Sequence, residues 1–70
     1  MKNYIAKIER KSEKWGGGIK VTTDFLGVRA NDENEAKKDF EKTINSRETI
    51  IYVLEESNVP AEDLEIYNNQ

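Results

Sequence analysis

The sequence contains neither cysteine nor histidine. Without cysteine, the chain cannot form disulfides, thiolate metal sites or a cysteine nucleophile. Without histidine, it lacks the commonest general base and the commonest metal ligand in proteins. We therefore expect a protein that is not an enzyme, that holds no metal and no other cofactor, and that owes its stability to side-chain packing.

Long apolar runs are absent as well. No stretch approaches the roughly 20 apolar residues that cross a bilayer, and the first residues alternate in polarity instead of forming the apolar core of a signal peptide. These absences predict a cytoplasmic protein without membrane contacts. A chain of 70 residues fits a single domain, residues 1–70, whose core supplies only about 3–5 kcal/mol. A homodimer is therefore also compatible with the sequence.

Charge is distributed unevenly along the chain. Residues 1–30 carry seven Lys and Arg side chains against three Asp and Glu, whereas residues 31–70 carry four against eleven. The first part is therefore basic and the second strongly acidic, within a net charge of −3. A segment this acidic creates a field that repels nucleic acid and attracts basic partners.

The start of the chain has the pattern of a β-hairpin. Tyr4, Ala6 and Ile8 alternate with Lys7 and Glu9, which is the period-two pattern of a half-buried strand. Gly16–Gly18 predicts a tight turn, because glycine tolerates positive φ angles. Ile19–Phe25 then alternates again, so the sequence predicts two strands joined by a glycine-rich turn.

A helix start is predicted at Asp32. Asp32 and Glu35 have the spacing of a capping box, in which the two side chains satisfy the first backbone amides of a helix. Ala36, Phe40 and Ile44 follow at four-residue spacing. This spacing places an apolar stripe on the helix face that packs against the sheet.

Residues 47–57 carry conflicting signals, and we favour a helix there over a strand. Thr49–Leu54 has high strand propensity, but Asn58–Pro60 is typical of a helix end. An unbroken helix over residues 32–57 would be about 39 Å long, which exceeds the predicted strands. We therefore expect a kink near Asn45-Ser46, where Asn45 and Glu48 also have the spacing of a second capping box.

Two further short strands complete the predicted fold. Val28–Ala30 would follow a bend at Leu26–Gly27, and Leu64 and Ile66 alternate with polar residues near the end of the chain. The sequence thus predicts an α+β domain with the order β-β-β-α-(α)-β. Its antiparallel sheet would carry a long or kinked helix on one face.

This order of elements resembles the N-terminal domain of HicB-type antitoxins. The residues that carry the resemblance are Tyr4-Ile5-Ala6-Lys7-Ile8-Glu9, Asp24-Phe25-Leu26-Gly27-Val28, Ala30-Asn31-Asp32, Glu35-Ala36 and Val59-Pro60. The resemblance implies a partial ribonuclease-H-like sheet without its active site, often dimeric. It also implies that the protein inhibits a small basic RNA-cutting toxin by covering the toxin's working surface.

The acidic side chains of the second part are the candidate partner-binding residues. They are Asp32, Glu33, Glu35, Asp39, Glu55, Glu56, Glu62, Asp63 and Glu65. The first four crowd the predicted helix start, where capping and the helix dipole also favour carboxylates. A divalent cation is an alternative for these four, although their spacing fits no calcium-binding loop. The remaining alternative is that the acids only aid solubility.

Three other features have both a functional and a structural interpretation. Gly16–Gly18 with Lys20 does not have the order of a phosphate-binding loop, so a hairpin turn is favoured. Asp24 could serve as a nuclease carboxylate, but no second acid is paired with it, and a turn residue is favoured. Trp15 and the lysines of the hairpin could form a basic-aromatic surface for nucleic acid. The acidic second part makes this direct binding the less favoured interpretation.

Three functions are compatible with these features. The leading one is a non-catalytic acidic inhibitor that occludes the nucleic-acid-binding surface of a basic partner protein, such as a HicA-like mRNA-cleaving toxin. An alternative is a phage-encoded DNA mimic that inhibits a host DNA-binding protein, such as a histone-like nucleoid protein. A second alternative is a small nucleic-acid-binding module that uses the basic hairpin.

Overall fold

Three antiparallel strands and two helices form the structure, a computed structural model that describes residues 1–70. Strand β1 spans Lys2–Glu13, β2 spans Ile19–Ala30 and β3 spans Glu48–Glu55, and they form one sheet in the order β2-β1-β3. Helix α1 spans Glu33–Thr43 and α2 spans Ala61–Asn68, with a 3-10 turn at Glu56–Asn58 before α2. The predicted α+β class with an antiparallel sheet is confirmed, but the order of elements is β-β-α-β-α.

The predicted hairpin is confirmed and is longer than expected. Strands β1 and β2 pair along their whole length, from Lys2 opposite Ala30 to Glu13 opposite Ile19. The turn contains Gly16–Gly18, whose φ angles of 84°, 99° and 95° lie in the left-handed region. Side chains with a Cβ rarely adopt this conformation, so the three glycines are what allow the chain to reverse here.

The predicted bend at Leu26–Gly27 and the separate third strand at Val28–Ala30 are wrong, because β2 continues through both. Gly27 pairs with Ile5 in the ladder between β1 and β2. Its missing side chain serves the packing of α2, since a Cβ at this position would overlap the Tyr67 hydroxyl. The glycine therefore marks a close approach between strand and helix and not a change of direction.

The predicted kinked helix over residues 47–57 is also wrong, because Glu48–Glu55 forms β3, which pairs with β1, and the 3-10 turn follows it. Its strand pattern is hidden by a β-bulge. Ile50 and Tyr52 pair with consecutive residues of β1, which leaves Ile51 without a partner. The extra residue places two isoleucines in succession and interrupts the period-two alternation that would have identified a strand.

Asn45 and Glu48, predicted to form a second capping box, close the turn between α1 and β3. The Asn45 backbone N–H donates to the Glu48 carboxylate at 3.1 Å, and the Arg47 backbone N–H donates to the Asn45 side-chain oxygen at 2.9 Å. Side-chain bonds of this kind stabilise turns as well as helix starts. These hydrogen bonds stabilise the turn between the end of α1 and the start of β3.

The predicted helix start at Asp32 is confirmed. The Asp32 carboxylate accepts a hydrogen bond from the Glu35 backbone N–H at 2.8 Å, which is one half of a capping box. The Glu35 carboxylate accepts from the Asn31 side-chain amide at 3.2 Å instead of completing the box. Ala36 and Phe40 are buried, as the predicted apolar stripe requires.

The last predicted strand, around Leu64 and Ile66, is wrong because this segment is α2. Leu64 and Tyr67 are three residues apart, which places them on one face of a helix, and both pack against a buried cluster on the sheet. Ile66 is 55% exposed. Pro60 precedes the first residue of α2, where its missing amide hydrogen costs no hydrogen bond.

The sheet is covered on both faces, whereas the sequence predicted a helix on one face only. The cluster under α1 contains Tyr4, Ala6, Ile8, Ala30, Ala36, Phe40 and Val53. The cluster under α2 contains Ile5, Phe25 and Val59, with Tyr52, Leu54, Leu64 and Tyr67 packed around it. Successive side chains of a strand point to opposite faces, so β1 contributes to both clusters.

The distal part of the hairpin extends past the third strand. Pairing between β1 and β3 stops at Arg10, and beyond it Lys11 makes one backbone hydrogen bond, to the Arg47 carbonyl, at 3.1 Å. We call residues Lys11–Val21 the arm. The molecule measures 46 Å along its longest axis and only 25 Å and 15 Å along the other two.

Phe40 is the largest buried side chain of α1 and is 2% exposed. We expect Phe40→Ala to lower the free energy of unfolding by roughly 3–5 kcal/mol, which is close to the whole stability of a domain this small. Ile66→Ala, at an exposed position of α2, is expected to change it by no more than about 0.5 kcal/mol. Urea denaturation of both variants checks this, and equal midpoints would contradict the placement of Phe40 in the core.

Candidate binding surfaces

The fold brings acidic residues from two distant segments to one end of the sheet. Strands β2 and β3 both run toward the end at which β1 begins, because each is antiparallel to β1. Helix α1 starts directly after β2, and the 3-10 turn starts directly after β3. We call this the acidic end, and its five carboxylates are those of Asp32, Glu33, Glu35, Glu55 and Glu56.

These five carboxylates form two groups, one beyond each edge strand. Only β1 lies between β2 and β3, and a spacing of about 4.8 Å per strand pair places the two strand ends roughly 10 Å apart. Glu33 and Glu56 form no ion pair within the chain, and Glu55 has only a 3.9 Å contact with the exposed Lys2 ammonium group. The two groups therefore keep carboxylates that are available to a partner.

The other predicted partner-binding residues lie elsewhere. Asp39 is in the second half of α1. Glu62, Asp63 and Glu65 are on α2, which covers the face of the sheet opposite α1. The structure therefore places five of the nine predicted residues at the acidic end and the other four elsewhere.

Asp63 is held by two residues of the sheet. Its carboxylate accepts a hydrogen bond from the Tyr52 hydroxyl at 2.9 Å and lies 3.7 Å from the Lys7 ammonium group. Its side chain is only 17% exposed. Burial, and then the hydrogen bond to Asp63, raise the pKa of Tyr52 to about 12. Asp63 thus anchors α2 to the sheet. This role could be recognised only once its two partners, in β1 and β3, were known.

A second ion pair fixes the base of the arm. The Arg10 guanidinium donates to the Glu48 carboxylate at 2.8 Å and 3.3 Å, and the Glu48 side chain is 8% exposed. The Asn45 backbone N–H, and then Arg10, hold the pKa of Glu48 below its ordinary value. Asp24, predicted to be a turn residue, lies inside β2 and contributes a longer contact of 3.8 Å to Arg10.

Sequence reasoning missed this ion pair because Arg10 and Glu48 are 38 residues apart. They become neighbours only when β3 pairs with β1, where they stand directly opposite each other. Opposite charges at facing positions stabilise antiparallel strands. Had residues 48–55 been predicted as a strand paired with β1, the contact between Arg10 and Glu48 could have been predicted too.

The arm exposes a basic and apolar surface at the far end of the molecule. Trp15 in the turn is fully exposed, Ile19 is 65% exposed and Val21 is 49% exposed. Lys11, Lys14 and Lys20 lie on the same segment, against Glu13 as the only acid. The structure therefore separates the three lysines of the arm from the acidic end, because the two lie at opposite ends of the β1–β2 hairpin.

No group of three or more Asp and Glu side chains is arranged to hold a metal ion. No helix in the structure has the length and apolar character needed to cross a membrane. No family model, curated protein or solved structure gives a significant match to this chain.

The Tyr52–Asp63 hydrogen bond predicts a specific dependence of stability on alkaline pH. The pKa of Tyr52 is raised from 10.0 to about 12 in the folded protein, so its contribution is fully present below pH 10 and is lost as pH rises through about 12. Tyr52→Phe cannot lose this contribution. Its urea midpoint should therefore fall less than that of the unmodified protein between about pH 10 and 12.

Tyr67→Phe is the matched control, because Tyr67 donates no hydrogen bond to a carboxylate and should retain the full alkaline decline. Absorbance at the tyrosinate band, followed with pH, locates the late-ionising group. An identical alkaline decline in the unmodified protein and in Tyr52→Phe would contradict the assignment.

Proposed function

We propose that this protein is a non-catalytic binding protein whose acidic end covers the nucleic-acid-binding surface of a basic partner protein. The observation that carries the proposal is the convergence of five carboxylates from the α1 start and the β3 end on one end of the sheet. A single run of acids on one element is explained by helix capping or solubility. Here the acids come from two segments, on either side of β1, and lie at the same end of the sheet. Neither capping nor solubility requires that arrangement.

The spacing of the two groups supports competition with nucleic acid. The strand ends from which the two groups extend lie roughly 10 Å apart, which is within the range of about 6–12 Å over which the grooves of B-DNA separate the two phosphate backbones. A basic surface shaped to meet two rows of phosphates would therefore meet two rows of carboxylates here. The summed field of such a cluster steers association even where each exposed pair contributes little.

The resemblance to HicB-type antitoxins makes a small basic RNA-cutting toxin the first candidate for the partner. A host DNA-binding protein, such as a histone-like nucleoid protein, is the second, with this chain as a phage-encoded mimic of DNA. The neighbouring genes distinguish the two. A gene for a small basic toxin next to this one favours the first, and a run of short phage genes favours the second.

The test begins with capture of a partner from bacterial lysate at two salt concentrations, followed by titration of the purified partner. We expect the triple variant Glu33→Gln, Glu55→Gln and Glu56→Gln to weaken binding about tenfold, because three exposed charge pairs together contribute on the order of 1.4 kcal/mol. These substitutions leave the Asp32 cap and the Asp63 anchor intact. Nucleic acid added to the complex should displace this protein.

The control variant combines Glu9→Gln, Glu13→Gln and Glu41→Gln. It removes the same charge from outside the acidic end and breaks no ion pair of the structure. Its binding should stay within about twofold of the unmodified protein. Equal losses in both triple variants would show that only net charge matters. Simultaneous binding of this protein and nucleic acid to the partner would rule out occlusion.

A further inference from the structure

We infer that the arm is a second binding site, one that docks into a groove of double-stranded nucleic acid. The inference concerns the end of the molecule opposite the acidic end and does not rest on the function proposed above.

The arm is a two-stranded ribbon that protrudes past β3 from a fixed base. Beyond Arg10 the hairpin continues for three paired positions on each strand and a five-residue turn. A two-stranded hairpin is at best marginally stable in water by itself. The Arg10–Glu48 ion pair and the hydrogen bond from Lys11 to the Arg47 carbonyl hold its base against β3. A ribbon of this kind fits the major groove of B-DNA, which is about 12 Å wide.

The lysines of the arm lie on both faces of the ribbon. Lys11 stands opposite Val21, and Lys20 stands opposite Ser12 on the next pair. Side chains of adjacent positions point to opposite faces of a sheet, so the two ammonium groups project in opposite directions. A ribbon inside a groove has a phosphate backbone on each side, whereas a ribbon lying on a flat charged surface meets charge on one side only.

The tip adds an aromatic side chain to this basic ribbon. Trp15 is fully exposed, and the three glycines that follow it have no other atom near the position of a Cβ. The backbone at the tip can therefore approach a ligand closely. An exposed ring at the tip can contact bases, as the apolar wedges of minor-groove binders do when they insert between base steps. Binders of single strands instead offer a groove with several aromatics in series, which an arm with one aromatic does not provide.

The acidic end does not oppose this contact. The longest axis of the molecule is 46 Å, and the acidic end and the arm lie at opposite ends of the β1–β2 hairpin. At physiological salt, charges are screened over about 8 Å. The net charge of −3 therefore describes the whole chain but not the field at the arm. The arm carries three lysines and a single glutamate.

Trp15 is the only tryptophan of the chain, so its fluorescence reports on the arm alone. We expect a mixed-sequence DNA duplex of about two helical turns, at low salt, to quench this emission in a saturable titration whose affinity falls with added salt. Replacing Lys11, Lys14 and Lys20 by Gln should weaken binding at least about tenfold and lower the logarithmic salt slope by about 2–3, since each phosphate contact contributes about 0.9 to that slope.

The matched control replaces Lys37, Lys38 and Lys42 by Gln. These three exposed lysines lie on α1 and form no ion pair, so the control removes the same charge and should bind within about twofold of the unmodified protein. Trp15→Ala, followed by the anisotropy of a labelled duplex, should weaken binding while leaving the salt slope unchanged. Circular dichroism verifies that every variant is folded.

Several outcomes would overturn the inference. One is Trp15 emission that does not respond to duplex DNA at low salt, and another is equal loss in the two lysine variants. Tighter binding to a single strand of the same sequence would exclude groove docking. A blue shift with vesicles containing anionic lipid, without a response to duplex, would identify a lipid surface as the ligand. The Glu33, Glu55 and Glu56 triple variant should bind duplex as before, so that this inference and the proposed function can fail separately.

Discussion

The central strand β1 is the element on which the rest of the structure depends. It forms every strand pair in the sheet, with β2 on one side and β3 on the other, and it is buried on both faces. Ala6 and Ile8 are fully buried in the cluster under α1, while Ile5, 1% exposed, is central to the cluster under α2. A chain of this size has little apolar surface to bury, and a central strand shared by two clusters buries apolar side chains on both of its faces.

Two charged residues of β1 link this strand to α2 and to the start of β3. Lys7, between the buried positions, contacts Asp63 of α2, and Arg10, at the last pair with β3, contacts Glu48. Each of these carboxylates is largely withdrawn from solvent and has a cationic partner, as partly buried charges require. The two contacts hold α2 on one face of the sheet and mark the point beyond which the hairpin continues as the arm.

The separation of charge follows from the same topology. Because β2 and β3 are both antiparallel to β1, the segments that follow them meet at one end of the sheet, and the hairpin turn lies at the other. The acids of α1 and of the 3-10 turn are thereby placed far from the lysines of the arm. A protein with a modest net charge thus presents two surfaces of opposite sign, which provide separate binding hypotheses for its two ends.

The hairpin turn and the start of α1 were determined by the sequence alone, because their causes are local. Three successive glycines reach backbone angles closed to other residues, and Asp32 caps an amide three residues away. Phe40 was placed in the core for a similar reason, since its helical spacing from Ala36 holds wherever the helix packs.

The tertiary structure decided the segments whose local signals conflict. Residues 48–55 became a strand because β1 offers unpaired backbone groups along its free edge, and the bulge at Ile51 hid the alternation that would have announced it. Residues 61–68 became a helix that packs through Leu64 and Tyr67, with Tyr67 seated over Gly27. Of the predicted binding residues, the sequence identified the acids, but only strand pairing could decide that Glu55 and Glu56 join Asp32, Glu33 and Glu35, while Asp63 is bound to Lys7 and Tyr52. Neighbours on different elements are set by chain crossing and not by spacing along the chain.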